Sequence, residues 1–111
     1  MINLPIFPDL KNKNILITGG HGFLGKQHAE AFAINKANII IIDLYENIDF
    51  KQHIKKFGVN YIFFKCDITN KKSLIKVQKK LLKKKYKINV IINNASINYP
   101  PNKKKLKELK L

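Results

Sequence analysis

Glycine is concentrated in one short segment, Thr18-Gly19-Gly20-His21-Gly22-Phe23-Leu24-Gly25, which directly follows the apolar run Ile15-Leu16-Ile17. Its glycines satisfy both Gly-x-x-Gly-x-x-Gly and Gly-x-Gly-x-x-Gly spacing. The first glycine suits a sharp turn out of a strand, the middle ones let backbone approach an anion, and the last suits close helix packing. Backbone N–H groups and the dipole at the start of that helix would hold a pyrophosphate. A purely structural strand-to-helix turn is the alternative.

An acidic residue follows the second apolar run. Asp43 comes directly after Ile39-Ile40-Ile41-Ile42 and 18 residues after Gly25. A carboxylate at the end of a second strand can accept hydrogen bonds from both hydroxyls of an adenosine ribose, and it repels a 2′-phosphate. No Arg or Lys adjoins Asp43 in the sequence. The pattern therefore predicts NAD in preference to NADP, with an ordinary solvated strand end as the alternative.

Polar residues also follow the two later apolar runs. Asp67 lies in Cys66-Asp67-Ile68, and Asn93-Asn94-Ala95 follows Val90-Ile91-Ile92. The carboxyl ends of parallel strands share one edge of a sheet, where ligands of open α/β folds bind. Either segment alone would be ordinary turn chemistry. In combination, they extend the predicted site along that edge.

The elements that must position these residues alternate along the chain. Strands are predicted at 15–17, 39–42, 59–65 and 89–92, and helices at 23–34, 49–57 and 71–85. This alternation favours an α/β fold, a partial Rossmann (doubly wound) parallel sheet of about four strands in βαβαβαβ order. We expect residues 1–96 to form this portion and residues 97–111 to be a Lys-rich C-terminal tail.

Local signals predict how the helices begin and end. Asn35 is expected to end the first helix in a left-handed conformation. Asp49 and Gln52 resemble a capping box, and Thr69 or Asn70 is expected to cap the last helix. The apolar side of the first helix is predicted to contain Leu24, His28, Ala31 and Phe32.

The four segments together resemble the short-chain dehydrogenase/reductase family, over nearly the whole chain from Asp9 to Ser96. The resemblance implies that Asp67 bonds the adenine amino group and that Ile68 adds a backbone contact. It also implies that the Asn-Asn-Ala turn stabilises the sheet and touches the ribose, and that His21 and Phe23 line the pyrophosphate loop. The predicted cofactor-binding residues are Gly19, Gly20, His21, Gly22, Phe23, Leu24, Gly25, Asp43, Leu44, Asp67, Ile68, Asn93, Asn94 and Ala95.

Two details bear on the branch of the family. The glycine segment with Lys26-Gln27-His28-Ala29 is similar to bacterial members associated with flagellin modification or surface sugars. Three-residue glycine spacing is typical of the sugar-nucleotide epimerase branch, whereas Asn-Asn-Ala is typical of the single-domain oxidoreductases. We give the second signal more weight.

The resemblance implies hydride transfer between NAD and an alcohol or carbonyl substrate. Family members run well over twice this length, and their catalytic Ser and Tyr-x-x-x-Lys pair follow the Asn-Asn-Ala turn. Tyr61 and Lys65 match the spacing, but on a strand they stand about 13 Å apart. Tyr99 and Lys103 enclose two prolines, which exclude a helix. No catalytic residue is therefore predicted. We expect a partial sequence or a truncated product that is inactive alone, and a substrate and homo-oligomer only in a full-length form.

The charge suggests a second function. All 22 basic residues are Lys, against seven acidic residues, for a net charge of +15. The absence of Arg argues against sequence-specific nucleic-acid recognition. A small protein that binds nucleic acid non-specifically, through nine lysines in 71–87, stays open as an alternative. So does a regulatory domain that docks on longer relatives, whereas the abundance of Lys, Asn and Ile favours a compositional bias of the genome.

The remaining signals are mostly negative. A single cysteine, Cys66, allows no internal disulfide and is expected to be a packed thiol. His21, His28 and His53 lack metal-site spacing, so no metal is predicted. No secretory pattern or membrane span is visible, and we expect a cytoplasmic protein without a membrane partner.

Overall fold

The computed structural model of the chain describes residues 7–19 and 22–94. Its strands are β1 (Asn14–Thr18), β2 (Asn38–Asp43), β3 (Tyr61–Lys65) and β4 (Val90–Asn93). Its helices are α1 (Phe23–Ile34), α2 (Ile48–Lys55) and α3 (Lys71–Lys83), after a short 3-10 turn at Pro8–Leu10. The predicted tail, 97–111, lies outside the described residues.

All strand pairs are parallel, in the order β3-β2-β1-β4. The apolar runs Ile15-Leu16-Ile17 and Ile39–Ile42 explain why β1 and β2 are central, since unbroken apolar runs suit strands covered on both faces. Ile15, Ile17, Ile39 and Ile41 are fully buried on the side of α1 and α2. Leu16, Ile40 and Ile42 pack with Val77 of α3 on the other side. The predicted partial Rossmann fold is confirmed.

The amino edge of the sheet is held by asparagines, one before or at the start of each strand. The Asn14 N–H donates to Asn89 Oδ1 at 2.8 Å, and Asn38 Nδ2 donates to Asn14 Oδ1 at 3.3 Å. The Asn60 N–H donates to Asn38 Oδ1 at 3.1 Å. This ladder crosses all four strands and reinforces their register.

Helix α1 has the predicted bounds, but two predictions about helix caps are wrong. Asn35 has φ −85°, and the left-handed residue is Lys36, with φ 64°. Helix α2 is capped by Asn47, whose side chain accepts from the Phe50 N–H, and not by a box beginning at Asp49. The prediction of Asn70 for α3 is confirmed, because its side chain accepts from the Ser73 N–H.

The buried side of α1 also differs from the predicted one. Gly25, Ala29 and Ala33 face the sheet, whereas Leu24 is 59% exposed and His28 is exposed. Small residues spaced four apart let the helix axis approach the strands, and this close packing outweighs the burial of larger side chains. Gly25 thus has the packing role that was predicted for it.

Candidate functional site

The carboxyl ends of the four strands bring together, at one edge, those predicted residues that the structure describes. The Gly19 N–H donates to the Ile42 carbonyl at 2.8 Å, and the Cys66 N–H donates to the Asp43 carbonyl at 2.9 Å. These bonds extend the ladder past the ends of β1 and β3. Thr18 is in register with Asn93 of β4, so the Asn-Asn segment reaches the same edge.

A tight turn joins β1 to α1. Gly19 has φ 65°, a left-handed conformation that L side chains rarely adopt. Its carbonyl accepts from the Gly22 N–H at 3.1 Å, and the Gly22 carbonyl accepts from the Lys26 N–H at 3.0 Å, which begins the helix. Gly20 and His21 lie outside the described residues. The turn therefore aims the start of α1 at the carboxyl edge.

The start of α1 has the features of an anion site. Gly22 is the N-cap and provides no side-chain cap, and the first turn contains no acidic residue. The N–H groups of Phe23, Leu24 and Gly25 precede the first intrahelical donor and have no acceptor within the helix. A Cβ on Gly22 would lie 3.4 Å from the Gly19 carbonyl oxygen and 4.0 Å from Asn94 Nδ2. The bare backbone thus leaves the helix dipole open to a phosphate.

Asp43 occupies the end of β2, next to the glycine turn. Its Oδ1 accepts from the Leu44 N–H at 2.7 Å, which orients the carboxylate at the edge. Leu44 is 45% exposed and Tyr45 is 76% exposed, so the chain after Asp43 presents apolar surface to solvent. This arrangement suits a ribose at the carboxylate, with a flat apolar group beside it.

Asp67 stabilises its own loop through one oxygen. Its Oδ1 accepts from the Thr69 N–H at 2.9 Å and from the Thr69 hydroxyl at 2.6 Å. These two hydrogen bonds, the hydroxyl bond first, lower the pKa of Asp67. Its Oδ2 bonds to none of the described residues, and Ile68 is partly buried beside it. One carboxylate oxygen is thereby left for a donor at the edge.

Asn94 connects the end of β4 to the glycine turn. Its N–H donates to Thr18 Oγ1 at 3.1 Å, and its Nδ2 donates to the Gly19 carbonyl at 3.1 Å. Asn93 ends β4 with its side chain exposed, and Ala95 lies outside the described residues. The side chain of Asn94 is therefore part of the support of the turn.

Two residues of this edge escaped the sequence prediction. Thr18, the first residue of the glycine segment, is one of them, because its hydroxyl accepts from the Asn94 N–H. Lys65 is the register partner of Asp43, although 22 residues separate them in the chain. Thr18 could have been identified from the sequence as the polar residue that ends a buried strand. The position of Lys65 beside Asp43 could be identified only once the order of the strands was known. Lys65 therefore lies beside Asp43 in the sheet, although no Lys adjoins Asp43 in the sequence.

Tyr61 and Lys65 both lie on β3, as predicted for a pair unsuited to catalysis. Burial, then the carboxylates of Glu46 and Asp43, raises the pKa of Tyr61 well above its usual value. Tyr99 and Lys103 lie outside the described residues. Within residues 7–19 and 22–94, no three His, Cys, Asp or Glu side chains group as a metal site. In the same ranges, no helix is long and apolar enough to cross a membrane.

Known proteins are similar to this chain in sequence and in fold. The sequence model of the family described as short chain dehydrogenase matches residues 13–111. Human short-chain dehydrogenase/reductase 3 is 30% identical over 92 residues, which cover 80% of this chain and 30% of that protein. The chain spans less than half the length of the relatives that it matches.

Solved structures give the same result. An NADH-dependent reductase, A1-R′, complexed with NAD, matches with a TM-score of 0.74 at 27% identity, over 83% of this chain and 39% of that one. L-Sorbose reductase from Gluconobacter frateurii, complexed with NADPH and L-sorbose, matches with a TM-score of 0.75. At 21% identity, over 86% of this chain and 37% of that one, it shows the fold alone. With the family match, the motifs and the fold in agreement, the chain belongs to the short chain dehydrogenase family.

Proposed function

We propose that this chain binds a nicotinamide dinucleotide along the carboxyl edge of its sheet. One observation carries the proposal: the uncapped start of α1 and the Asp43 carboxylate lie at the ends of adjacent strands, joined by the Gly19–Ile42 hydrogen bond of 2.8 Å. A helix start attracts a pyrophosphate, and a carboxylate one strand away accepts from ribose hydroxyls. The NADH-dependent reductase relative bound to NAD supports the same class of ligand.

The proposed contacts follow from the edge geometry. The N–H groups of Phe23, Leu24 and Gly25 hold the pyrophosphate, and Asp43 accepts from the adenosine ribose. Asp67 Oδ2 accepts from the adenine amino group, with Leu44 and Ile68 beside the ring. Asn93 and Asn94 border the proposed site on the side of β4. By the family resemblance, Gly20, His21 and Ala95 belong to the same site.

We further propose NAD as the preferred dinucleotide. The Asp43 carboxylate bonds both hydroxyls of the NAD ribose, but it repels the extra phosphate of NADP. Because the structural relatives carry either cofactor, the preference rests on Asp43 and not on the comparisons.

The family chemistry is proposed only for a protein that also has the Ser and Tyr-x-x-x-Lys of this family. There, hydride passes between the nicotinamide and an alcohol or carbonyl substrate, and the Tyr acts as general acid or base. None of the helices α1, α2 and α3 contains a tyrosine. For the described residues, the proposed role is to bind and orient the dinucleotide. A small-molecule substrate and a homo-oligomer belong to the same proposal for the longer protein.

Calorimetric titration of NAD into the purified chain tests this function. Saturable binding is expected, with a loss of at least about tenfold in Asp43→Ala because two ribose hydrogen bonds to a charged acceptor disappear. The control is Asp9→Ala, which removes an equal charge from the 3-10 turn. Affinity that is equal in the wild type and Asp43→Ala would refute the assignment of Asp43.

A second candidate function is non-specific binding of nucleic acid, favoured by the distribution of charge. Nine of the 17 lysines in the described residues lie in 71–87, all exposed, and no acidic residue occurs between 71 and 94. The other eight lysines are accompanied by all six described acidic residues. We call the exposed lysines of 71–87 the α3 lysine surface. It is the one concentrated cationic face of the described chain.

Anisotropy of a labelled single-stranded oligonucleotide tests this second candidate. Substitution of Lys72, Lys76 and Lys79 by Gln should make the slope of log K against log salt less negative by about 2, since each phosphate contact on single strands contributes about −0.7. The control replaces Lys11, Lys13 and Lys55, which are exposed elsewhere. Equal losses in the two triple variants would show that net charge, and not this surface, is responsible.

A further inference from the structure

Lys65 is the neighbour of Asp43 across the β2–β3 pair. Their Cα atoms are register partners, and paired strands lie about 4.8 Å apart. Side chains alternate along each strand, so Asp43 shares a face with Ile41, and Lys65 shares a face with Phe63. Ile41 and Phe63 both pack in the core beneath α1 and α2. The carboxylate and the ammonium group therefore start from adjacent positions on one face.

The ammonium group of Lys65 is available to a ligand. The Lys65 side chain is exposed, and it forms no ion pair within 4.0 Å with any residue of 7–19 and 22–94. Glu46, the acidic residue of the loop between β2 and α2, has its Oε1 3.9 Å from Lys51 Nζ. Lys51 thus offsets Glu46, and Lys65 brings a positive charge to the position of Asp43.

This placement bears on the 2′ position of the ribose. A ribose held by Asp43 presents its 2′-oxygen to the end of β2, and in NADP that oxygen carries a phosphate of nearly two negative charges. Asp43 alone repels such a group. A lysine ammonium group binds phosphate as a point charge on a flexible stem. The register therefore puts an attractive and a repulsive charge at the same subsite.

We propose that Lys65 is a specificity-determining residue that admits a 2′-phosphate, so that Asp43 favours NAD while Lys65 keeps the preference narrow. This inference rests on the proposed function. Lys65 attracts the phosphate of NADP and has little effect on the uncharged 2′-hydroxyl of NAD. Removal of its charge raises the ratio Kd(NADP)/Kd(NAD) by about fivefold to tenfold, the range expected for an exposed charge facing a dianion.

Titration of NAD and NADP into the wild type, Lys65→Gln and Lys13→Gln at low ionic strength tests the inference. Lys13 is the matched control, because it is exposed at the amino edge, and its loss changes the net charge equally. We expect Lys65→Gln to weaken NADP about fivefold or more, to leave NAD within about twofold, and to reduce the salt dependence of NADP binding. Lys13→Gln should leave the ratio unchanged.

The outcomes separate the two proposals. If NAD binds saturably and the ratio Kd(NADP)/Kd(NAD) is the same in the wild type and Lys65→Gln, the role of Lys65 is overturned but the proposed function is not. An equal change in Lys65→Gln and Lys13→Gln also overturns it, because net charge would then be the cause. Absence of saturable binding of either dinucleotide overturns the proposed function and this inference together.

Discussion

The side-chain amide of Asn94 donates to the carbonyl oxygen of Gly19 at 3.1 Å, across 75 positions of sequence. The same carbonyl accepts from the Gly22 N–H, so one oxygen connects the end of β4 to the start of α1. The shape of the proposed pyrophosphate turn therefore depends on a residue from the opposite end of the described chain. The Asn94 side chain can support the turn because its amide group donates a hydrogen bond. The carboxylate of an aspartate, which has the same size, cannot donate one.

Substitutions at Asn94 test this connection. Asn94→Ala removes one part-buried hydrogen bond and should cost about 1 kcal/mol of unfolding free energy. Asn94→Asp should cost more, because it places a carboxylate oxygen against the Gly19 carbonyl oxygen. Urea denaturation of both variants measures the order. If Asp is tolerated as well as Ala or better, the amide is not the donor that supports the turn.

The two described glycines of the turn should separate stability from binding. Gly19→Ala forces a side chain into φ 65° and should cost about 1–2 kcal/mol of stability. Gly22 has φ −73°, and its added Cβ would meet the Gly19 oxygen at 3.4 Å, so Gly22→Ala should cost less, about 0.5–1 kcal/mol, the difference between Gly and Ala at an N-cap.

Binding should respond differently, because the Cβ of Gly22→Ala occupies the approach to the start of α1. We expect NAD affinity to fall by about tenfold in Gly22→Ala, measured by calorimetry beside urea denaturation. Full NAD affinity in a folded Gly22→Ala variant would place the pyrophosphate elsewhere.

The alternation of strands and helices could be predicted from sequence because each element has its own local signal. Ile39–Ile42 is recognisable as a buried strand without knowledge of its neighbours. Helix caps were less certain, since Asp49 and Asn47 are both good N-cap residues and only the path of the backbone decides between them. The same holds for Asn35 and Lys36, where the left-handed residue carries no preference of its own.

Features that depend on strand register could not be predicted from local patterns. Asn38 contacts Asn14, and Lys65 lies opposite Asp43, only because β1, β2 and β3 lie side by side in a fixed register. The buried side of α1 was missed for a related reason. Small residues such as Gly25 and Ala29 do not show from the sequence which side of a helix is buried. Their burial follows from the short distance between α1 and the sheet.

The raised pKa of Tyr61 predicts that the chain becomes less stable at alkaline pH. Its pKa in the folded chain is raised above the ordinary value of 10.0, so the folded state retains the proton longer than the unfolded state. The resulting stabilisation is complete below about pH 10 and is lost as the pH rises beyond it. Urea denaturation from about pH 8 to 11 should show the wild type losing unfolding free energy relative to Tyr61→Phe.

Lysine deprotonation is common to both chains and cancels in that comparison. Parallel pH profiles of the wild type and Tyr61→Phe would contradict the raised pKa.

The loop of Asp67 makes the opposite prediction at acidic pH. The pKa of Asp67 is lower in the folded chain than in the unfolded chain, so the Thr69 hydrogen bonds stabilise the fold when the pH is above the ordinary pKa of aspartate. This contribution is lost as the pH falls through the pKa of Asp67 in the folded state. Thr69→Val removes the hydroxyl donor and keeps the N–H donor. NMR titration of the Asp67 carboxyl carbon should show its pKa rising toward the ordinary value. An unchanged pKa in Thr69→Val would exclude the hydroxyl as its main cause.

Amide NMR during an NAD titration shows whether a dinucleotide binds at the carboxyl edge of the sheet. Binding at this edge predicts saturable shifts at Gly19, Gly22–Gly25, Asp43, Leu44 and Asn94. It predicts no shifts at the amino-edge residues Asn14, Asn38 and Asn60. Shifts confined to the α3 lysine surface, or shifts that never saturate, would contradict it.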